Sequence, residues 1–153
     1  MSVTPKEIAT VMGGSRVLKK RVQTHGDLRK VVIKGVPKKA LDKVVSRIAV
    51  RDSRNGRLIA TKTSGLKWKI VPRPTYQKAG TTLNLQASET VERIARLVAM
   101  ATSAFEDDDE AARFMNEPHP ELGGESPFEV ALTEPGGRLV EEVIERGLHG
   151  LPA

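Results

Sequence analysis

Cysteine is absent from the 153 residues. Disulfides and thiolate metal sites are thereby excluded, and a reducing cytoplasm is the expected setting. Aromatic residues are scarce, with three Phe, one Trp and one Tyr, so the core must be built from Val, Leu, Ile, Ala and Met. That composition favours packed helices over a sandwich or barrel, whose strands need more β-branched alternation. No apolar run approaches the ~20 residues of a membrane span. The N-terminus lacks the basic patch and apolar stretch of a secretory leader. The phosphate-cradling patterns GxxxxGK and GxGxxG do not occur, which leaves the paired glycines as helix stops and turns. His25, His119 and His149 stand in no metal-ligand spacing, and the acidic run at 106–110 lacks the alternating ligands and central glycine of a calcium loop. No Ser or Thr has an evident base partner. Neither a metal nor a cofactor is expected, and an enzyme finds no positive support.

What is present is charge, unevenly placed. Residues 1–80 hold 20 Lys and Arg against 4 Asp and Glu, whereas residues 81–153 hold 5 against 15. A basic half of this density suits a polyanion, because each phosphate contact releases counterions. The acidic half would repel the same polyanion, so two different partners are expected.

Helical signals run the length of the chain. Thr4, Pro5 and Glu7 form a capping box with proline at the first helical position, and Ile8, Val11 and Met12 make the stripe behind it. Shorter patterns cover 15–23, with Leu18 and Val22, and 27–34. Leu41, Val44, Val45 and Ile48 follow the i, i+3, i+4, i+7 rule. The most secure helix carries Val91, Ile94, Ala95, Val98, Ala101 and Phe105, widened by Leu97, Met100 and Ala104. The acidic run then opens another helix, from which Ala111, Ala112, Phe114 and Met115 pack inward. Ser126, Pro127 and Glu129 repeat the capping pattern. Leu139, Val140, Val143 and Ile144 form a last stripe, which Gly147 and Gly150 dissolve into a short apolar tail. The region 57–71 is open to two readings: a short helix over 57–62, or a hairpin pairing 57–63 with 66–71, in which Trp68 and Ile70 alternate with Lys67 and Lys69. Pro72 and Pro74 require any following helix to begin near Arg73.

Within the basic half, Arg73, Thr75, Tyr76, Gln77 and Lys78 resemble the start of a DNA-recognition helix, and Lys67 and Lys69 ahead of them are expected to face the DNA as well. Trp68 and Tyr76 would alternatively stack on single-stranded bases, or fill a small core that the lysines solvate.

The stretch PHPELGGESPF, residues 118–128, sets the last question, because phosphate loop, histidine site and protein-binding surface all use such residues. Its surroundings resemble the toxin-binding domain of antitoxins of the Xre/MbcA/ParS type. The resemblance rests on Ala111, Ala112, Phe114, Pro118, Leu122-Gly123-Gly124, Pro127, Thr133, Gly136 and Val140. Phe114-Met115 stands where relatives commonly have Trp-Leu. GVPKKALDKVV and TVERIARLVAMATSAF extend the resemblance upstream to about residue 35, whereas RPTYQKAG is less basic than is usual there.

The resemblance implies a type II antitoxin whose partner is a RES-domain toxin that uses or degrades NAD. It implies a mainly α, multi-helix fold, divided into an N-terminal segment (1–34), a basic Xre-like helix-turn-helix and dimerisation region (35–85) and an acidic toxin-binding domain (86–153). A homodimer would bind operator DNA and assemble with toxin. The toxin-facing residues expected from it are Leu122, Gly123, Gly124, Pro127 and Phe128 together with the tail Arg146, Gly147, Leu148, His149, Leu151, Pro152 and Ala153. An acidic cover complements a pocket that receives a dinucleotide. The alternative is a stand-alone helix-turn-helix regulator with an acidic protein-interaction domain.

Overall fold

The computed structural model describes residues 3–49, 54–55 and 60–148. They form a mainly helical fold. The capping box at Thr4 forms, with Thr4 Oγ1 accepting from Glu7 N at 3.1 Å and Glu7 Oε1 from Thr4 N at 3.2 Å, and launches α1 (Pro5–Val11). α2 (Gly14–Leu18) follows directly. The pattern expected over 15–23 stops there because Lys19 turns left-handed at φ 55, although Val22 still reaches the core. A second box, Thr24 with Asp27, starts α3 (His25–Lys34). The backbone N–H of Gln23, ahead of that of Thr24, holds the Asp27 carboxyl below its ordinary 3.8.

α4 (Lys38–Ile48) buries Leu41, Val44, Val45 and Ile48, as its spacing predicts. The link before it pairs with the chain entering α7: Leu83 N donates to Val36 O at 2.8 Å and Lys38 N to Thr81 O at 3.0 Å. α7 (Leu85–Phe105) is the spine. It packs against α1, α3, α4 and α5 (Ala60–Ile70) as well as α8 (Asp108–Asn116) and α10 (Glu134–Leu148). One continuous apolar core therefore runs from Ile8 to Ile144.

Four expectations need correction. The hairpin reading of 57–71 fails from residue 60 onward, where α5 is helical through Ile70. Ile70 and Val71 are both buried, which strand alternation would not allow, and α5 is held by α4 and α7 instead of a second strand. Phe105 and Leu139 sit on apolar stripes but are 44% and 51% exposed, since each lies at the edge of its stripe, beyond the reach of the core. Ala112 and Phe114 are only half-buried, whereas Ala111 and Met115 are fully inside. Gly147 does not end the last helix, which continues to Leu148 because a single exposed glycine costs a helix only about 1 kcal/mol.

Proline placement is as expected, with α5 ending at Ile70 and α6 (Arg73–Lys78) beginning at Arg73. Among the described residues no helix is long and apolar enough to cross a membrane.

Candidate functional site

The PHPELGGESPF stretch is a compact turn organised by His119. Its main-chain carbonyl accepts from Leu122 N at 3.0 Å and Gly124 N at 3.1 Å, and its N–H donates to Glu125 O at 3.1 Å. The imidazole Nδ1 accepts from Glu121 N at 3.2 Å, capping a 3-10 turn over Pro120–Leu122. Gly123 and Gly124 carry the reversal at φ 69 and 83, a backbone that side chains disfavour. Ser126 Oγ then accepts from Glu129 N at 3.2 Å and starts α9 (Pro127–Val130). A row of rings runs behind this turn: Phe105 lies 5.5 Å from Phe114, and Phe114 lies 6.0 Å from His119. His119, which stands in no metal-ligand spacing, thus holds the turn together.

The expected protein-facing residues divide into two groups. Leu122, Pro127 and Phe128 point inward, with Phe128 only 1% exposed, and anchor the turn to the core. Gly123, Gly124 and Gly147 are on the surface. Arg146 near the end of α10 pairs with Glu121 of the turn, so the turn and the last helix share one face. Leu148 is the last described residue, and His149, Leu151, Pro152 and Ala153 lie outside the described residues.

The junction of α9 and α10 is tied by two features. Thr133 Oγ1 accepts from Gly136 N at 3.1 Å, which caps α10 and lets Gly136 lie against the Val130 carbonyl. Arg93 of α7 is 9% exposed; its Nη1 donates to Ala131 O at 3.2 Å and Leu132 O at 3.4 Å, and its Nε to Glu134 Oε2 at 3.4 Å. Carbonyls at the end of a short helix thus find donors. Sequence reasoning missed Arg93. The available signal was its position between Thr90 and Leu97, which places a charge on the buried face of α7.

Next to it, Arg96 bridges Glu92 and Glu141 at 2.9 Å each, joining α7 to α10. Burial raises the Glu92 carboxyl above its ordinary 4.5, against the opposing pull of Arg96 and Arg93. Hydrogen bonding from Arg138, opposed by some desolvation and helped by Arg93, keeps Glu134 low. Glu92, Arg93, Arg96 and Glu134 border an open cleft of about 440 Å³ whose other wall is α3.

In the basic half the expected DNA-facing residues also separate. Lys67 pairs with Asp42 at 2.9 Å and donates to the Tyr76 hydroxyl at 3.3 Å. Burial pulls its ammonium down, but these partners more than offset that and leave its pKa raised. Trp68 and Tyr76 meet edge to face at 5.2 Å, and their faces are already occupied by Lys38, Lys67 and Arg73. Lys69 pairs with Glu129 of α9. Thr75 is half-buried, whereas Lys78 is exposed. Among the described residues no cluster of His, Asp or Glu is suited to a metal ion.

The comparison with known proteins falls on the C-terminal region. No curated protein matches this chain. Residues 100–150 match the family model of the antitoxin Xre/MbcA/ParS C-terminal toxin-binding domain, a span that includes the end of α7, α8, the His119 turn, α9 and α10. The turn residues, the Thr133 cap and the Gly136 approach thus all lie inside the segment that is similar to the Xre/MbcA/ParS antitoxin toxin-binding domain.

Proposed function

We propose that this chain is the antitoxin of a type II toxin–antitoxin pair, and that its partner is a RES-domain toxin that uses NAD, as an ADP-ribosyltransferase or an NAD-degrading enzyme. Residues 86–153 cover the toxin's active site, and inhibition is steric, with no chemistry by this chain. Residues 35–85 form a helix-turn-helix and dimerisation region that binds the operator of its own operon, and residues 1–34 are a helical segment leading into it. The pair works in the cytoplasm.

The observation that carries this reading is the match of residues 100–150 to a toxin-binding domain. Two features support it. The Arg146–Glu121 pair joins the His119 turn to the end of α10, from which the sequence continues into the apolar tail. The acid excess of residues 81–153 complements a basic dinucleotide pocket, while the base excess of residues 1–80 complements DNA.

Co-expression with the product of the adjoining gene tests it. That product should be toxic alone, harmless with this chain, and recovered with it in a complex whose mass gives the stoichiometry. Persistent toxicity would sink the reading. Deletion of residues 147–153 should weaken neutralisation more than operator binding, and equal losses would count against the tail as the inhibitory segment.

A further inference from the structure

A cluster of cations and rings joins α4, α5 and α6. Tyr76 lies between two ammonium groups, with Lys38 Nζ 4.3 Å and Lys67 Nζ 4.4 Å from its ring centre. Lys38 also donates to Ala79 O at 3.0 Å, at the far end of α6. The Arg73 guanidinium sits 4.9 Å from the Trp68 ring centre. Trp68 Nε1 is buried without a hydrogen-bond partner among the described residues, so the indole contributes its ring and edge rather than its donor.

α6 needs this cluster. It has six residues, no side-chain cap and no buried residue. A helix of that length does not hold itself in water. Its direction is therefore set from outside, by Tyr76 clasped between Lys38 and Lys67 and by Arg73 resting on Trp68. Lys67 is itself fixed by Asp42 on α4, and its side chain is only 19% exposed. Two of its three N–H groups are already used, on Asp42 and on Tyr76. Little of the ammonium remains for a phosphate. The outward side of α6 instead carries Gln77 and Lys78, both exposed and with no ion pair among the described residues. An amide such as Gln77 both donates and accepts, which suits a base edge in the major groove, whereas a lysine such as Lys78 suits the backbone.

We propose that Lys67, fixed by Asp42, is a positioning residue that orients α6 toward duplex DNA, and that Gln77 and Lys78 make the contact. This rests on the proposed DNA binding by the basic half.

The test uses the full chain, a duplex of the DNA immediately upstream of its gene and a scrambled duplex of equal length, titrated over a range of salt. Lys67→Met should weaken binding to the upstream duplex about tenfold while leaving the salt slope unchanged, and should shift the emission of Trp68, the chain's one tryptophan. Lys78→Ala should reduce the slope by about one, and Gln77→Ala should lower the preference for the upstream duplex at unchanged slope. Asp42→Asn supplies a variant in which the ammonium is freed. If Lys67 touched phosphate directly, affinity would rise; a positioning role requires it to fall. A Lys67→Met protein with a slope lower by about one and unaltered emission would overturn the proposal, as would wild-type affinity. Failure of the wild-type chain to bind either duplex would instead overturn the DNA reading itself, and the proposal with it.

Discussion

Gly136→Ala should loosen the C-terminal region, although alanine is the better helix former. A Cβ built on Gly136 would lie 1.7 Å from the Val130 carbonyl oxygen, 2.7 Å from its carbon and 2.9 Å from Thr133 Oγ1. The first of these is more than an ångström closer than real Cβ atoms approach, and the obstacle is backbone. Neither side yields cheaply. α9 is pinned by Phe128, Ala131 and the Arg93 guanidinium, and α10 is pinned to the core by Val140, Val143 and Ile144. Propensity favours alanine by about 1 kcal/mol. Overpacking costs about 1–3 kcal/mol, and the displaced Thr133 cap about 1 kcal/mol more. The net loss is about 2 kcal/mol, or roughly 4–8 °C in Tm for a chain of this size. Gly147→Ala provides the control, because it lies exposed in the same helix with nothing within 4 Å of a Cβ. It should gain up to about 1 kcal/mol. Urea unfolding followed by helical circular dichroism measures both. A Gly136→Ala protein as stable as the Gly147→Ala one would refute the argument that the α9–α10 approach requires a missing side chain.

His119→Ala should cost about 1 kcal/mol by removing the cap on Glu121 N, with His119→Asn recovering most of it through its own oxygen; thermal melts decide, and an asparagine variant no better than alanine would contradict the capping role. Two of the perturbed carboxyls, Asp27 and Glu92, should give opposite pH signatures. Asp27, held low, contributes stability above about 3.8 that disappears as the pH falls through its depressed folded value, so the gap between wild type and Asp27→Asn should close in acid. Glu92, raised by burial, makes the wild type lose stability relative to Glu92→Gln as the pH rises from 4.5 through its elevated folded value. Urea midpoints across that range check both signs. Glu129→Gln frees Lys69, a half-exposed pair worth under about 1 kcal/mol, and should raise affinity for duplex DNA about two- to threefold; unchanged affinity would remove Lys69 from the DNA surface.

Helices whose signal is local were readable in the sequence. The Thr4 box, the α4 stripe and the α7 stripe each combine a cap or proline with apolar spacing, and each forms where expected. α5 was not, because Ser64-Gly65 looks like a turn and residues 66–70 alternate. Its helical state comes from partners far along the chain, among them Asp42 and Tyr76. Leu139 and Phe105 have the right residue type at stripe edges, and only the position of neighbouring helices decides that they stay outside. The motif residues of the C-terminal segment were visible as spacings, but their reasons were not. Gly136 answers to the Val130 carbonyl and Arg93 to two others, and bonds to main-chain oxygens leave no trace in side-chain pattern. The role of His119 is hidden for the same reason, since the partner of its imidazole is a backbone N–H two residues on.

The path of α7 through the core ties the fates of two surfaces together. It packs on α1, α3 and α4 as well as on α8 and α10, within one apolar core. Such a shared spine makes the molecule open as one cooperative unit rather than in halves. A partner bound to the C-terminal face at a hundred times its Kd adds about 2.7 kcal/mol to the whole unit, so the basic face is protected from proteases without being touched. When that partner is lost, one cut that destabilises α7 removes both surfaces together. The lifetime of the basic surface is thereby set, in part, by what binds the C-terminal face.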